Sequence, residues 1–405
     1  MSEVVLNDVC ELIVDCPHST AYDEGSGYPL VRTPNIGRGR LIYSGMHRVC
    51  EEVYNKRNAR AIPQTNDLIF AREATAGNVA LIREGEKVCL GQRTVLIRPN
   101  ANLVNPAFLT YHLLAPEQQY KLLSTANGAT VAHVNMPTIR NLKLSLPPLA
   151  TQHRIATILS RYDSLIENYQ KQIKLLEEAA QRLYKEWFID LHFPGHENTN
   201  IIDGVPEGWE KKTIDDVTCK ITTGLNPRKN FVLGKGSNYY VTIKNMADNT
   251  LFLDDRCDRV DNEALEKINK RSDLKIGDIL FSGIGTIGRV ALVDIPTNNW
   301  NVSESVFTLR ANDIVTKEFL YLMLLSPDMQ NYCQSNAHGA AQKGIRMADL
   351  KAYSFYLPPF GVIQKFTNLV TPTIKKVSSI RNQIRLLTEA RDRLLPKLMS
   401  GEIAV

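Results

Sequence analysis

The chain has 405 residues, 43% of them apolar, and a formal net charge of +5 at pH 7. This length is sufficient for two or three domains with buried cores, and the net charge is modest for a nucleic-acid-binding protein. No apolar run approaches the roughly 20 residues of a membrane span, and the first residues lack a signal-peptide pattern, so we expect a cytoplasmic protein with no membrane association.

Cysteine and histidine spacing argues against a metal site. The seven cysteines are odd in number and none forms a C-x-x-C pair, which predicts reduced structural thiols. His192 and His196 flank Phe-Pro-Gly, which cannot continue a helix, so the two rings do not form a helical metal-binding face. We therefore expect no bound metal.

The chain repeats itself at one constant offset. QIKLLEEAAQRL from Gln172 returns as QIRLLTEARDRL from Gln383, and Leu146-Pro147-Pro148 returns as Leu357-Pro358-Pro359, each time 211 residues later. Solenoid repeats measure roughly 20 to 50 residues, so this period predicts two copies of a domain with a connector. The predicted segments are a first domain over 1–145, a central helix over 146–192, a linker over 193–206, a second domain over 207–356 and a distal helix over 357–405.

Each domain is predicted to be an α+β domain of strands with short helices. DLIFAREATAGNVALI from Asp67 returns as DILFSGIGTIGRVALV from Asp278, and the β-branched runs around a glycine turn favour a β-hairpin. The second copy contains Gly283-x-Gly285-x-x-Gly288, the spacing of a dinucleotide-binding loop. We reject that function because a strand-like run follows where a helix should begin, and the first copy keeps only Gly77.

Another motif is similar to a catalytic loop. Asn105-Pro106-Ala107-Phe108 resembles the Asn-Pro-Pro-Phe/Tyr loop of adenine methyltransferases, but it lacks the second proline. The second copy has Thr316-Lys317-Glu318-Phe319 there, so the shared feature is a capping residue at a helix start. Since no other catalytic constellation recurs in both copies, the duplication favours binding over catalysis.

Both predicted helices carry apolar residues at alternating steps of four and three, the 3.5-residue period of a coiled-coil seam. The seam positions are Ile155, Leu159, Tyr162, Ile166, Tyr169, Ile173, Leu176, Ala180, Leu183 and Trp187 in the central helix, and Phe366, Val370, Thr373, Val377, Ile380, Ile384, Leu387, Arg391, Leu394 and Leu398 in the distal helix. To pair with the central helix, the distal helix must run antiparallel to it, which predicts a pseudo-two-fold arrangement with one domain at each end. Packing of each helix on its own domain stays an alternative, and Pro372 predicts a kink or a late start of the distal helix.

The two copies differ most over 16–60 and 220–271, where basic, glycine, proline, asparagine and aromatic residues mix. Such side chains hydrogen-bond to phosphates and base edges, with arginine on guanine and asparagine on adenine as common pairs. The same composition fits mobile surface loops, and that alternative stays open. The DNA-binding candidates are His18, Ser19, Thr20, Arg32, Asn35, Arg38, Arg40 and Arg48 in the first copy, and Thr222, Thr223, Asn226, Arg228, Lys229, Lys235, Asn238 and Tyr239 in the second.

With these features together, the chain resembles the specificity (S, or HsdS) subunit of a type I restriction-modification system. The order of target-recognition domain, central helix, second target-recognition domain and distal helix is that of the family. The motifs that carry the resemblance are LSLPPLATQHRIATIL from Leu144, EAAQRLYKEWFIDLHFP from Glu178, VPEGWE from Val205, FYLPPF from Phe355 and LLPKLMSGEI from Leu394. The chain departs from the family in lacking, before its first domain, the Gly208-Trp209 pair that precedes its second.

The resemblance implies a subunit with no catalytic site of its own, which recognises a bipartite double-stranded DNA target. It also implies two methyltransferase (M) subunits that modify adenine N6, and restriction (R) subunits. S-adenosylmethionine, ATP and Mg are expected on these partners and none on this chain. The repeat helices, with their Leu-Pro-Pro and Glu-Trp-Phe segments, are where M subunits would dock. The alternatives are a stand-alone DNA adenine methyltransferase, which would need its own cofactor loop, and a coiled-coil scaffold without a DNA role, which would leave the two variable domains unexplained.

Overall fold

A computed structural model describes residues 2–124, 133–339 and 343–405. The chain forms two compact units. Unit 1 comprises Met1–Tyr169 and Gln383–Val405, and unit 2 comprises Gln170–Asn382. Unit 1 is therefore built from two separate stretches of chain, whereas unit 2 is contiguous. None of the helices in the described ranges has the length and apolar character needed to cross a membrane.

Unit 1 contains a four-stranded antiparallel sheet in the order β2-β8-β5-β6, a three-stranded sheet β4-β3-β7 and the pair β1-β9. Its strands are β1 (Ser2–Val5), β2 (Cys10–Asp15), β3 (Tyr28–Val31), β4 (His47–Val49), β5 (Leu68–Ala71), β6 (Val79–Leu81), β7 (Cys89–Leu90), β8 (Thr94–Pro99) and β9 (Lys143–Leu146). Its helices are α1 (Glu51–Arg57), α2 (Pro106–Leu114), α3 (Pro116–Ser124), α4 (Met136–Arg140), the first half of α5 (Leu149–Phe188) and the second half of α10 (Phe360–Ser400).

Unit 2 repeats this architecture with a four-stranded sheet β13-β21-β18-β19, a three-stranded sheet β17-β14-β20 and the pair β12-β22. Its strands are β10 (Ile201–Ile202), β11 (Val205–Pro206), β12 (Glu210–Thr213), β13 (Thr218–Thr223), β14 (Asn238–Val241), β15 (Met246–Ala247), β16 (Thr250–Leu251), β17 (Asp258–Val260), β18 (Ile279–Ser282), β19 (Val290–Leu292), β20 (Trp300–Val302), β21 (Val306–Ala311) and β22 (Ser354–Leu357). Its helices are the second half of α5, α6 (Asn262–Ser272), α7 (Lys317–Leu324), α8 (Pro327–Ser335), α9 (Met347–Ala352) and the first half of α10 (Phe360–Ser400).

The central sheet of each unit is buried on both faces. In β5, Leu68 and Phe70 belong to one hydrophobic core and Ile69 to another, because successive side chains of a strand point to opposite faces. In β18, Phe281 and Leu280 divide between two cores in the same way. This explains why β5 is uniformly apolar and β18 has three consecutive apolar residues, instead of alternating with polar ones.

The predicted hairpins are confirmed. β5 pairs with β6 and β18 with β19, both antiparallel. Gly77 and Gly288 both have φ +88°, a conformation that glycine adopts without steric cost. A Cβ on Gly77 would lie 2.5 Å from Gln119 Oε1, and the Gln119 Nε2 group donates to the Gly77 carbonyl at 2.8 Å. Since β19 begins two residues after Gly288, where a dinucleotide loop would be followed by a helix, the glycine spacing in unit 2 belongs to a hairpin.

The two long helices begin and end close to the predicted positions. Pro147 and Pro148 keep Leu146 in β9, so α5 begins at Leu149 rather than at 146 and ends at Phe188. The expectation of a late start at Pro372 is wrong, because α10 begins at Phe360 and continues past this residue. Buried Phe366, Val370 and Val377 on either side anchor the helix, which offsets the hydrogen bond that proline cannot donate.

Within each unit the two long helices contact each other. In unit 1, Ile155 and Leu159 share a core with Leu395 and Leu398, and Arg391 Nη1 lies 2.6 Å from Asp163 Oδ1. As residue numbers rise along α5, those of its partners on α10 fall, so these segments run antiparallel. All of the predicted seam positions are buried or half-buried.

In unit 2, the Tyr184 and Trp187 rings lie 6.1 and 5.7 Å from that of Phe366, and Arg381 Nη2 lies 2.6 Å from Glu177 Oε1. The segments of α5 and α10 in this unit are therefore antiparallel as well. Because residues of the sheet domain share this core, the helices pack on the domain and on each other, and the two arrangements considered for them are not exclusive.

Candidate nucleic-acid interface

A network of charged side chains lies at one end of the central sheet of unit 1. Arg72 Nη1 donates to Asp15 Oδ2 at 2.7 Å, and Arg72 Nη2 lies 2.8 Å from His133 Nε2. Glu73 joins the network through His133 Nδ1 and Arg93 Nη1, each 2.6 Å away. Arg72 is buried, whereas the Arg93 side chain is 61% exposed. The network therefore holds Arg93 in place while much of its side chain is open to solvent.

Several predicted residues of unit 1 lie beside this network. His18 Nε2 is 3.3 Å from Asp15 Oδ2, and the His18 carbonyl accepts a hydrogen bond from Gln92 Nε2 at 2.8 Å. Ser19 and Thr20 follow as exposed residues, and the buried Arg57 donates to the Ser19 carbonyl. The Thr33 carbonyl accepts from Thr75 Oγ1 at 2.8 Å. We call the surface formed by 15–20, 32–35, 72–75, 92–93 and His133 the first recognition face.

Asn35 is buried and its amide is used inside the loop. Its Oδ1 accepts from the Arg32 backbone N–H at 3.2 Å and its Nδ2 donates to the Ile42 carbonyl at 3.1 Å. Arg32 is half-buried and donates to the Gly45 carbonyl at 3.2 Å. In this conformation Asn35 shapes the loop and is not open to a base.

The other predicted arginines of unit 1 lie elsewhere. Arg38 donates to the Leu114 carbonyl at the end of α2, at 3.0 Å. Arg40 Nη1 is 3.4 Å from Glu167 Oε1 on α5, and Arg48 donates to the Gly27 carbonyl at 2.8 Å. The Glu167 carboxylate also accepts two 2.6 Å hydrogen bonds from Arg83, which lower its pKa. Arg38 and Arg40 therefore tie a loop to the helical side of the unit.

In unit 2 a short turn presents basic side chains. Asn226 Oδ1 accepts from the Arg228 backbone N–H at 2.9 Å and caps the 3₁₀ turn Pro227–Lys229. Asn226 Nδ2 donates to Glu304 Oε1, also at 2.9 Å. Arg228 and Lys229 are exposed, as is Lys235 further along the loop. The turn therefore points at least two cations into solvent.

The remaining predicted residues of unit 2 are mostly structural. Asn238 is buried and donates to the Val260 carbonyl and to Asn262 Oδ1 at 3.3 and 2.9 Å. The Arg259 guanidinium covers the half-buried Tyr239 ring, 3.9 Å from its centroid. Thr222 is half-buried, and the buried Thr223 accepts a 3.2 Å hydrogen bond from Arg271 through its hydroxyl.

Helix α6 adds basic residues that the sequence analysis did not single out. Lys267 Nζ donates to the Asn230 carbonyl at 3.0 Å, which fixes the 226–235 loop against α6, and Lys270 and Arg271 are exposed on the same helix. The Lys-x-x-Lys-Arg spacing on a helix was the available signal. We call Arg228, Lys229, Lys235, Lys267, Lys270 and Arg271 the second recognition face.

The same scaffold carries different chemistry in the two units. The offset of 211 residues places Glu304 where unit 1 has Arg93, and Gly283 where it has Arg72. A Cβ on Gly283 would lie 2.5 Å from the Phe307 ring, so unit 2 has no room for the arginine of unit 1. Each unit therefore presents its own set of donors and acceptors on an equivalent framework.

The motif that resembles a methyltransferase loop is a helix cap, as predicted. Asn105 Oδ1 accepts from the Phe108 backbone N–H at 2.9 Å, and Thr316 Oγ1 accepts from that of Phe319 at 3.2 Å. The described residues contain no cluster of three or more His, Cys, Asp or Glu side chains arranged for a metal ion. All seven cysteines are free thiols, and burial raises the pKa of Cys10 and Cys333 to about 12.

Comparisons with known proteins agree with this architecture. The family model for the type I restriction modification DNA specificity domain matches residues 1–178 and 206–384. The MjaIX specificity subunit of Methanocaldococcus jannaschii is 26% identical over 409 residues, covering 99% of this chain and 93% of that protein. The HindI specificity subunit of Haemophilus influenzae is 25% identical and covers 76% of this chain and 80% of that protein.

A solved structure shares the fold. The crystal structure of the type I restriction-modification S subunit from M. genitalium superimposes with a TM-score of 0.57 at 16% identity, covering 98% of this chain and 95% of that one. With two family matches that coincide with the two repeats, the chain belongs to the type I restriction modification DNA specificity domain family.

Proposed function

We propose that this chain is the DNA-specificity subunit of a type I restriction-modification complex and that each unit reads one half of a bipartite target. The observation that carries this proposal is the pair of recognition faces, which differ in charge and hydrogen-bonding groups on one repeated scaffold. Arginine on the first face and arginine and lysine on the second suit phosphate contact, and Arg93 beside Gln92 suits contact with base edges.

Catalysis and cofactors belong to partner subunits in this proposal. Adenine-N6 methyl transfer would use S-adenosylmethionine on the M subunits, and cleavage would use ATP and Mg on the R subunits. The purified chain should bind DNA weakly and transfer no methyl group from radiolabelled S-adenosylmethionine. Methyl transfer by the chain alone would favour a stand-alone methyltransferase, and absence of DNA binding in the complete complex would favour a scaffold.

A domain exchange tests the assignment of one half-site to each unit. Because β1 pairs with β9, the exchanged segment should cover residues 1–146 and come from a related specificity subunit. Methylome sequencing should then show one half-site changed and the other unchanged. The matched control exchanges 207–357, whose ends are joined by β12 and β22, and should change only the other half. Alteration of both halves by one exchange would contradict the proposal.

Two M subunits are proposed because an exposed helix surface is itself repeated. Leu175 on α5 and Leu386 on α10 are equivalent positions, 64% and 49% exposed. Each is followed by exposed alanine and arginine residues, Ala179 and Arg182 in α5, and Ala390 and Arg393 in α10. Core packing explains repetition of the seam but not of an exposed leucine, whereas two identical partners would explain it.

Substitution of these leucines tests the stoichiometry. Leu175→Lys and Leu386→Lys should each remove one M subunit, and the double variant both, as measured by native mass spectrometry. Leu165→Lys is the matched control, because Leu165 is a 45% exposed residue of α5 whose equivalent in α10 is already Lys376. Full occupancy by two M subunits in the double variant would place the docking surface elsewhere.

A further inference from the structure

Unit 2 contains a cavity that no part of the proposed function uses. Its volume is about 130 Å³, and it lies where α5 and α10 meet α7. Much of its wall is aliphatic, formed by Leu176, Ala180, Leu322, Leu325, Ile374 and Val377. The cavity is partly open to solvent, where Asp294 is exposed, whereas Ala180, Tyr321, Leu322 and Val377 in its wall are buried.

The repeat shows what fills the equivalent place in unit 1. There Leu322 is replaced by Tyr111, Ile374 by Asp163 and Ala180 by Arg391. The Tyr111 hydroxyl donates to Asp163 Oδ2 at 2.6 Å, and Arg391 Nη1 donates to Asp163 Oδ1 at 2.6 Å. Unit 1 thus places a phenol ring and its hydrogen-bond partners where unit 2 has smaller aliphatic side chains.

One wall of the cavity is polar. Arg381 Nη2 donates to Glu177 Oε1 at 2.6 Å, and Asn249 Nδ2 lies 3.4 Å from the same oxygen. All three residues line the cavity, as does Tyr321. A guest with an apolar ring and one hydroxyl group would therefore find both an aliphatic wall and hydrogen-bonding groups. These groups are not the equivalents of Asp163 and Arg391, which bond Tyr111 in unit 1, because unit 2 has Ile374 and Ala180 at those positions.

We propose that this cavity binds a small monocyclic phenol. The size supports this class, because an engineered apolar cavity of about 150 Å³ accommodates benzene. A fully polar ligand would lose its hydrogen bonds with water against the aliphatic wall without replacing them. The site is independent of the recognition faces, so it stands or falls separately from the proposed function.

Binding of p-cresol to the full-length chain tests the proposal by isothermal titration calorimetry. We expect saturable binding with a dissociation constant on the order of 0.1 to 1 mM, as for a ligand of so few atoms. At ten times that concentration the melting temperature of unit 2 should rise by roughly 3 to 6 °C. Toluene has the same ring without the hydroxyl and should bind at least fivefold more weakly.

Neighbouring alanines provide the matched variants. Ala180 lines the cavity, whereas Ala179 is exposed. Ala180→Leu should weaken p-cresol binding at least tenfold, and Ala179→Leu should leave it unchanged. Thr373→Tyr, which introduces the Tyr162 residue of unit 1, is a second filling variant if Ala180→Leu misfolds. Absence of saturable binding in the wild-type chain, equal affinity for toluene and p-cresol, or undiminished binding in the folded filling variant would overturn the proposal.

Discussion

At the scale of single residues, burial determines which of the candidate side chains are accessible to DNA. Asn35 and Asn238 have the right chemistry for adenine, but both are buried. The Asn35 amide bonds within its own loop, and the Asn238 amide bonds to β17 and α6. Composition does not reveal this, because asparagine serves turns and base recognition with the same groups. The first recognition face also depends on Arg72, Arg93 and His133, which are distant in sequence and meet only in the folded sheet. Their convergence could not be predicted from local patterns.

His112 makes the stability of unit 1 depend on pH. The ring is 4% exposed, and burial lowers its pKa from the ordinary value of 6.5 to about 4. Below pH 6.5 the His112 ring is protonated in the unfolded chain, whereas in the folded unit it stays neutral until about pH 4. The unfolding free energy should therefore fall as the pH drops through this window, by roughly 1.4 kcal/mol per pH unit and about 3 kcal/mol in total.

Unit 2 has Met323 at the equivalent position, so His112→Met should remove most of this loss. Urea unfolding between pH 6.5 and 4, monitored by far-UV circular dichroism, would measure the unfolding free energy of His112→Met and of the wild-type chain. All three tryptophans, Trp187, Trp209 and Trp300, belong to unit 2, so their fluorescence provides an internal reference that should not change. Substitution of the exposed His192 by Met is the control. The same pH slope in His112→Met and the wild-type chain would contradict the assignment.

At the scale of secondary-structure elements, periodicity and capping were sufficient for much of the fold. The hairpins, the caps at Asn105 and Thr316 and both long helices follow from spacing and residue type alone. The three-stranded sheets were not foreseen, because they join strands that are far apart in sequence, such as the parallel pair of β14 and β20. The basic residues of α6 were not singled out as part of the candidate interface, because the apolar residues of this helix indicated a packing role.

The ion pair of Asp163 and Arg391 joins α5 to α10 at a seam position. Both side chains are less than one-fifth exposed, so Arg391→Ala should leave a largely buried carboxylate and cost about 3 kcal/mol of unfolding free energy in unit 1. The double variant Asp163→Ile with Arg391→Ala introduces the residues of unit 2 at both positions. With Tyr111→Leu added, so that the Tyr111 hydroxyl is not left without its acceptor, this variant should cost less than Arg391→Ala alone, because no buried charge remains.

Urea unfolding of unit 1 by circular dichroism would measure both variants. Arg393→Ala is the control, since the Arg393 side chain is 78% exposed, and it should change stability by less than about 0.5 kcal/mol. If the variant with all three substitutions were less stable than Arg391→Ala, the ion pair would make a net favourable contribution to the stability of the seam, contrary to this expectation.

At the scale of the whole molecule, the segment 383–405 completes unit 1. Leu395 and Leu398 lie in the core that also contains Phe108 and Ile155. Removal of 383–405 should therefore cost unit 1 at least about 5 kcal/mol, from two buried leucines and the lost partner of Asp163. Unit 2 loses none of its own residues, so its tryptophan fluorescence transition should persist. Early loss of the fluorescence transition with retention of the unit 1 signal would contradict this division.

The discontinuity of unit 1 also has a consequence for biosynthesis. The ribosome completes all of unit 2 before it delivers Leu395 and Leu398, at about 5 to 20 residues per second. For roughly 10 to 50 s, then, the apolar stripe around Ile155 and Leu159 has emerged without its partners. Unit 2 is expected to fold first although it comes second in the chain, and the nascent amino-terminal half is the form that most needs protection from aggregation.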